Sequence, residues 1–281
     1  MGKTEISWTD YSWNIARGCS KVDSDCKNCY MMRDSMDGTR YNPTGVVRTK
    51  SVFNLPMRIK EPSRIFTCSL TDFFHQEIDS YRHEAWDIIR KCPQHTFQIL
   101  TKRPERVLAN LPPDWNEGWD NVWLGTSVGH SKSIHRIIQL LELPAKLRFV
   151  SLEPLHGPID LCNVPLDSTH LLMSYEVNVL TGVAKTTIGG SASLLSEIDK
   201  LDWVIVGGES GNDNGKWKYR PCELEWIEKI VNDCLQADVP VFVKQMGTHL
   251  SKKFGMKRHG AEFDEFHTSV MFQQFPKNVK A

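Results

Sequence analysis

The sequence has no net charge, no membrane-length apolar run, no internal repeat and no low-complexity tract. Its 34 Lys and Arg balance 34 Asp and Glu, so no global positive field draws it to nucleic acid, and any such contact must be local. No apolar run approaches the roughly 20 residues needed to span a bilayer, and the polar start Met1-Gly2-Lys3-Thr4-Glu5-Ile6 lacks a signal-peptide core. The expectation is a cytoplasmic protein without membrane association. Cysteines number 8 in 281 residues. In a cytosolic chain of this size disulfides are not expected, so clustered cysteines point to metal or redox chemistry. What is abundant is large apolar surface, with 9 Trp, 12 Phe and 6 Tyr, which excludes a disordered chain.

Short apolar runs rich in branched and aromatic residues alternate with helical stretches, the pattern of repeated βα units. Strands are expected at Arg64 to Leu70, Thr96 to Thr101, Asn121 to Ser127, Leu147 to Leu152, Trp203 to Gly207 and Val239 to Lys244, with another near Tyr11 to Ala16. Helical faces are expected at Tyr81/Ala85/Ile88/Ile89, Ile134/Ile137/Ile138/Leu141 and Ile227/Ile230/Val231/Cys234. The fold expected is α/β, a partial or complete parallel (β/α) barrel. It would occupy residues 1–248 as one domain, with an insertion at about 160–199 and a basic, Phe-containing tail at 249–281. Within the insertion, Thr186 to Ser193 reads as a flexible turn or linker.

Cys19, Cys26 and Cys29 form CxxxxxxCxxC in a polar segment with Gly18, Ser20, Asp23, Ser24 and Asp25. The CxxC half brings two sulfurs together in a tight turn, and the longer spacer lets a third reach the same centre. Three thiolates on a four-iron cluster leave one iron open, whereas structural zinc takes a fourth protein ligand; the spacing is compatible with either. Cys68, Cys92, Cys162, Cys222 and Cys234 lie in apolar or helical settings and read as structural.

The opening Ile6-Ser7-Trp8-Thr9-Asp10, Trp13-Asn14, Gly18-Cys19 and Cys26-Lys27-Asn28-Cys29-Tyr30 resembles the phage-associated three-cysteine proteins. The resemblance continues through Ser69 to His75, Leu100 to Pro104, Trp123 to Ser127, Ser151 to Leu155 and Gly207 to Gly211. That family is similar to radical S-adenosylmethionine (SAM) enzymes, particularly the spore photoproduct lyase group of DNA repair enzymes. The resemblance implies a radical SAM type barrel, a 4Fe-4S cluster on the three cysteines, SAM as cofactor, an electron donor, and repair or modification of a nucleobase, nucleotide or nucleic acid in the cytoplasm, the bacterial host's if phage-encoded. The sequence departs from the usual CxxxCxxC loop in having a six-residue first spacer and Asn28, not an aromatic residue, before Cys29.

In a βα barrel, chemistry collects at the carboxyl ends of the strands. Ser69, Thr71 and Asp72 follow one strand, where the resemblance implies that SAM's amino group binds; Asp72 would suit an ammonium or cap a helix. Lys102 and Arg103 follow the next strand and suit the SAM carboxylate or a phosphate, or form a solvated cation pair. Ser127 can donate to a ribose or carboxylate, and Glu153, leaving an apolar strand, must find a cation or donor. Glu209 stands in the turn Gly207-Gly208-Glu209-Ser210-Gly211, which permits close backbone approach but lacks a P-loop lysine. Tyr30 completes the cofactor-binding candidates. Lys244 and Gln245 follow the last strand, and His75 reads as an acid–base group or a structural histidine. No residue is identified as catalytic. The competing reading is a noncatalytic zinc- or cluster-binding protein that engages nucleic acid or a protein partner.

Overall fold

Runs such as Thr96–Thr101 and Trp203–Gly208, with nearly every side chain buried, form strands covered on both faces, as parallel sheets require. The computed structural model describes residues 3–32, 42–166, 174–188, 191–214 and 217–277. Residues 167–173 and 189–190 of the expected insertion, and 278–281 of the expected tail, lie outside the described residues.

The chain folds as two compact units. The first is built mainly from Met1–Thr126 and Leu143–Leu147, the second from Ser127–Glu142 and Arg148–Lys277. The first unit holds β1 (Tyr11–Trp13), β2 (Arg64–Thr67), β3 (Thr96–Thr101) and β4 (Val122–Ser127), paired in that order and all parallel. Helix α1 (Arg82–Lys91) links β2 to β3. It buries Ala85, Trp86, Ile88 and Ile89, while Arg90 and Lys91 in its last turn complement the helix dipole. Trp13 is fully buried; its indole N–H donates to Phe53 O at 2.8 Å, and its ring packs edge-on against Phe97.

In the second unit, β5 (Arg148–Leu155) pairs with β10 (Trp203–Gly208), and β10 with β11 (Val241–Gln245), again in parallel. Between β5 and β10 run β6 (Val164–Leu166), β7 (Ser174–Asn178), β8 (Val183–Ile188) and β9 (Ser191–Glu197), which form an antiparallel sheet. Of the expected flexible turn or linker at Thr186 to Ser193, residues 186–188 and 191–193 are instead paired strand, with Ile188 opposite Ser191 and Thr186 opposite Ser193. Helices α2 (His135–Leu141), α3 (Leu224–Gln236) and α4 (Gly247–Phe254) complete the unit. All three expected helical faces thus lie on or beside helices.

Part of the tail is an ordered edge. Val243 N–H donates to Phe272 O at 2.7 Å and Gln274 N–H to Val241 O at 3.0 Å, so residues 272–274 run antiparallel to β11. Phe275 packs against Trp203 and Phe242. The architecture is α/β, with parallel strands in both units. Among the described residues no helix is long and apolar enough to cross a membrane.

Candidate functional site

The three-cysteine loop belongs to the first unit and is anchored from its own glycine. Gly18 has φ +101°, and a Cβ there would stand 2.2 Å from Gly45 O. Gly18 N–H donates to Leu70 O at 3.1 Å and Cys19 N–H to Pro43 O at 2.9 Å. Asp23 then caps a short 3-10 turn, Ser24–Cys26, by accepting from Asp25 N–H at 2.9 Å. Cys29 N–H reaches Cys26 O at 3.4 Å, so the CxxC half is a turn, as its spacing predicts. All three thiols are partly exposed and free of disulfides.

The loop meets the residues that follow β2 and β3. Arg103, buried, spreads its guanidinium over four acceptors: Nη1 reaches Asp72 Oδ2 at 3.1 Å and Cys19 Sγ at 3.9 Å, and Nη2 donates to Ser20 O and Ser20 Oγ, each at 2.9 Å. Asp72 is saturated in turn. Its Oδ1 accepts from Phe74 N–H (2.9 Å) and Thr101 Oγ1 (2.7 Å), and its Oδ2 from Lys102 N–H (2.9 Å) as well as Arg103. With every lone-pair position occupied, Asp72 serves as the clamp on Arg103; of the two roles the sequence left open, ammonium acceptor or cap, its bond from Phe74 N–H is of the capping kind. Arg103 is likewise committed within the protein and is not a ready anion ligand. Lys102 takes part through its backbone.

His75 is buried and structural in this network. Its Nδ1 accepts from Glu77 N–H at 3.3 Å, so the ring proton sits on Nε2, 2.9 Å from Ser20 Oγ. Burial, with Arg103 nearby, holds its pKa below the usual imidazole range. Ser69 accepts from Asn14 Nδ2 at 3.0 Å through its hydroxyl and from the Tyr30 phenol through its carbonyl. Thr71 Oγ1 is buried with no hydrogen-bond partner, a cost of about 1–3 kcal/mol that a ligand's polar group would relieve.

Burial pushes the Cys19 thiol up to about 11, against the pull of Arg103; a bound metal must therefore displace its proton. Among the described residues, the group of ligand atoms within 4.8 Å of one another is Asp160, Cys162 and Asp233, and the three loop cysteines do not form such a group. A single tetrahedral zinc with Zn–S near 2.3 Å needs sulfurs about 3.8 Å apart. A multi-iron cluster spreads its thiolates over separate irons and accepts a wider spacing.

Cys162 departs from the apolar setting expected of it. Between Asp160 and Asp233 stands Lys229, 3.4 Å from the former and 2.6 Å from the latter, so these carboxylates already hold a cation. Cys68, Cys92, Cys222 and Cys234 are buried, as their settings suggested. Cys68 also has φ +74°, left-handed backbone that costs an L-residue about 1–3 kcal/mol, where the chain leaves β2 toward Asp72.

The other candidates belong to the second unit. Glu153 Oε1 pairs with Lys244 Nζ at 3.0 Å, Ser151 Oγ donates to Oε2 at 3.2 Å, and Ser127 Oγ donates to the Glu153 carbonyl at 3.1 Å. A Cβ on Gly207 would stand 2.9 Å from Glu153 Oε1, so the glycine makes room for that carboxylate. Glu209 is buried, and both its oxygens are taken by Arg220: N–H at 2.7 Å and Nε at 2.9 Å on Oε2, Nη2 at 2.6 Å on Oε1. Arg220 was not a sequence candidate; its signal was the need of a buried glutamate for a cation. Among the described residues of the tail the cations are paired as well: Lys252 with Asp213, Lys253 with Glu223, Lys257 with Glu265, Arg258 with Glu262 and Lys277 with Asp238. They make a poor basic patch.

Fold and site together define an α/β protein of parallel strands with a three-cysteine loop fastened to their carboxyl ends in its first unit. Residues 3–276 match the family described as Protein of unknown function (DUF5131), and the chain belongs to that family. No curated protein and no solved structure matches the chain.

Proposed function

We propose that the protein is an iron–sulfur enzyme of the radical SAM type, in which Cys19, Cys26 and Cys29 hold a 4Fe-4S cluster and S-adenosylmethionine is the second cofactor. The observation that carries the reading is the fastening of the three-cysteine loop to the strand ends: Arg103 joins Cys19 and Ser20 to Asp72, and Asp72 joins them to Thr101 and Lys102. The donor set fits the group, because three free, partly exposed thiols would ligate three of a cluster's four irons, and the orphaned Thr71 hydroxyl lies one residue from the clamp. When bound, such a cluster offers an open iron to SAM and supplies the electron that breaks its sulfonium carbon–sulfur bond.

The chain's own part is to position and enclose. Asp72 and Ser20 hold Arg103 against the loop, and Tyr30 and Asn14 fix Ser69. A partial or complete radical SAM type barrel is the fold this reading entails, supported by the parallel strands of each unit. The substrate class, a nucleobase, nucleotide or nucleic acid, rests on the sequence resemblance, and catalysis needs an external electron donor.

Anaerobic reconstitution with iron and sulfide tests the cluster. About four irons and four sulfides per chain are expected, and replacing Cys19, Cys26 and Cys29 together with Ala should abolish both. One zinc without sulfide, or full iron and sulfide in the triple variant, would overturn the assignment.

A further inference from the structure

We infer that Arg103 is the positioning residue of the cysteine loop, and that its guanidinium, directed at Cys19 Sγ, sets how easily the group bound there is reduced. The inference rests on the cluster reading above but concerns a different residue and a different property. Sequence alone offered Arg103 as a ligand for a carboxylate or phosphate. In the structure its terminal nitrogens meet Asp72, Cys19 and both oxygens of Ser20.

Three features make this more than a surface ion pair. Arg103 is buried, and its carboxylate partner is 7% exposed, so their field is poorly screened by water. Asp72 is fixed by Thr101 Oγ1 and two backbone N–H groups, which leaves the guanidinium little freedom to turn away. Ser20, next to the ligand Cys19, is held from its other side by His75 Nε2. The cation is therefore locked in place before any metal arrives. Reduction adds one negative charge to a thiolate-bound cluster, and a fixed cation with an N–H directed at one ligating sulfur stabilises that reduced state more than the oxidised one.

The test is a redox titration, followed by electron paramagnetic resonance, of reconstituted wild-type protein, Arg103→Met and Arg103→Lys, with iron and sulfide content and circular dichroism measured on each. Arg103→Met is expected to stay folded and to lower the ratio of reduced to oxidised cluster at a fixed potential about tenfold, equal to about 59 mV for one electron. Arg103→Lys keeps the charge but loses the fork, and should fall between the two. A folded methionine variant that no longer retains the cluster would support the positioning role. If that variant does not fold, the lysine variant decides: a shifted potential or lowered cluster content supports the inference, and wild-type values overturn it. Unchanged potential and content in folded Arg103→Met overturn it as well. These results are distinct from failure of the cluster reading, which would show as wild-type protein taking up no iron and sulfide.

Discussion

Replacing Asp72 with Ala removes the residue on which the loop and the strand ends converge. The variant strands the buried Arg103 guanidinium without its carboxylate and leaves Phe74 N–H, Lys102 N–H and the Thr101 hydroxyl without their acceptor. Breaking a buried ion pair from one side costs about 3–5 kcal/mol. Asp72→Asn keeps the shape and one oxygen but points an NH₂ group at donors, for a cost of about 1–3 kcal/mol. Urea denaturation measures both, and hydrogen exchange localises the effect: the Phe74 and Lys102 amides should exchange at least about a hundredfold faster in the Ala variant, as 1.4 kcal/mol per decade requires. Because much of the loss is the stranded charge, Asp72→Ala combined with Arg103→Met should be less destabilised than the sum of the two single changes. An Ala variant within about 1 kcal/mol of wild type, or strict additivity in the double variant, would refute the clamp.

Two further predictions concern the loop and its surroundings. Gly18→Ala forces an L-residue to φ +101° with its Cβ against Gly45 O; it should cost about 1–3 kcal/mol and lower iron uptake, and equal stability and uptake would argue against the anchoring described. Burial pushes the Asp79 carboxyl up, but Arg82 and Arg106 outweigh it and hold it below its ordinary value of 3.8. The stability this pairing contributes is therefore fully present above pH 3.8 and lost as pH falls through the lowered folded-state value, so the gap in urea midpoint between wild type and Asp79→Asn should close on acidification; a gap independent of pH would contradict the assignment.

The strands were legible because their composition is extreme. Thr96 to Thr101 coincides with β3, and the others differ only at their ends, as where β2 stops at Thr67 because Cys68 adopts a left-handed turn. Within the insertion, Gly189, Gly190 and the serines carry the composition of a turn or linker, whereas Thr186 to Ile188 and Ser191 to Ser193 pair as strands. The tail's place beside β11 depends on Phe275 meeting Trp203, a contact between distant residues that no local pattern announces. In the site, spacing pointed to the cysteines and strand ends to Asp72, Lys102 and Glu153. It did not reveal that Asp72 is already saturated, because two of its donors are backbone amides, or that Glu209 is held by Arg220, a residue 11 positions along the chain.

The central claim stands or falls on SAM itself. Reconstituted protein reduced with dithionite and incubated with SAM should release 5′-deoxyadenosine, detected by chromatography, at a rate abolished when Cys19, Cys26 and Cys29 are replaced with Ala. An intact cluster that neither binds nor cleaves SAM, alone or with nucleobase, nucleotide and nucleic-acid substrates, would contradict it.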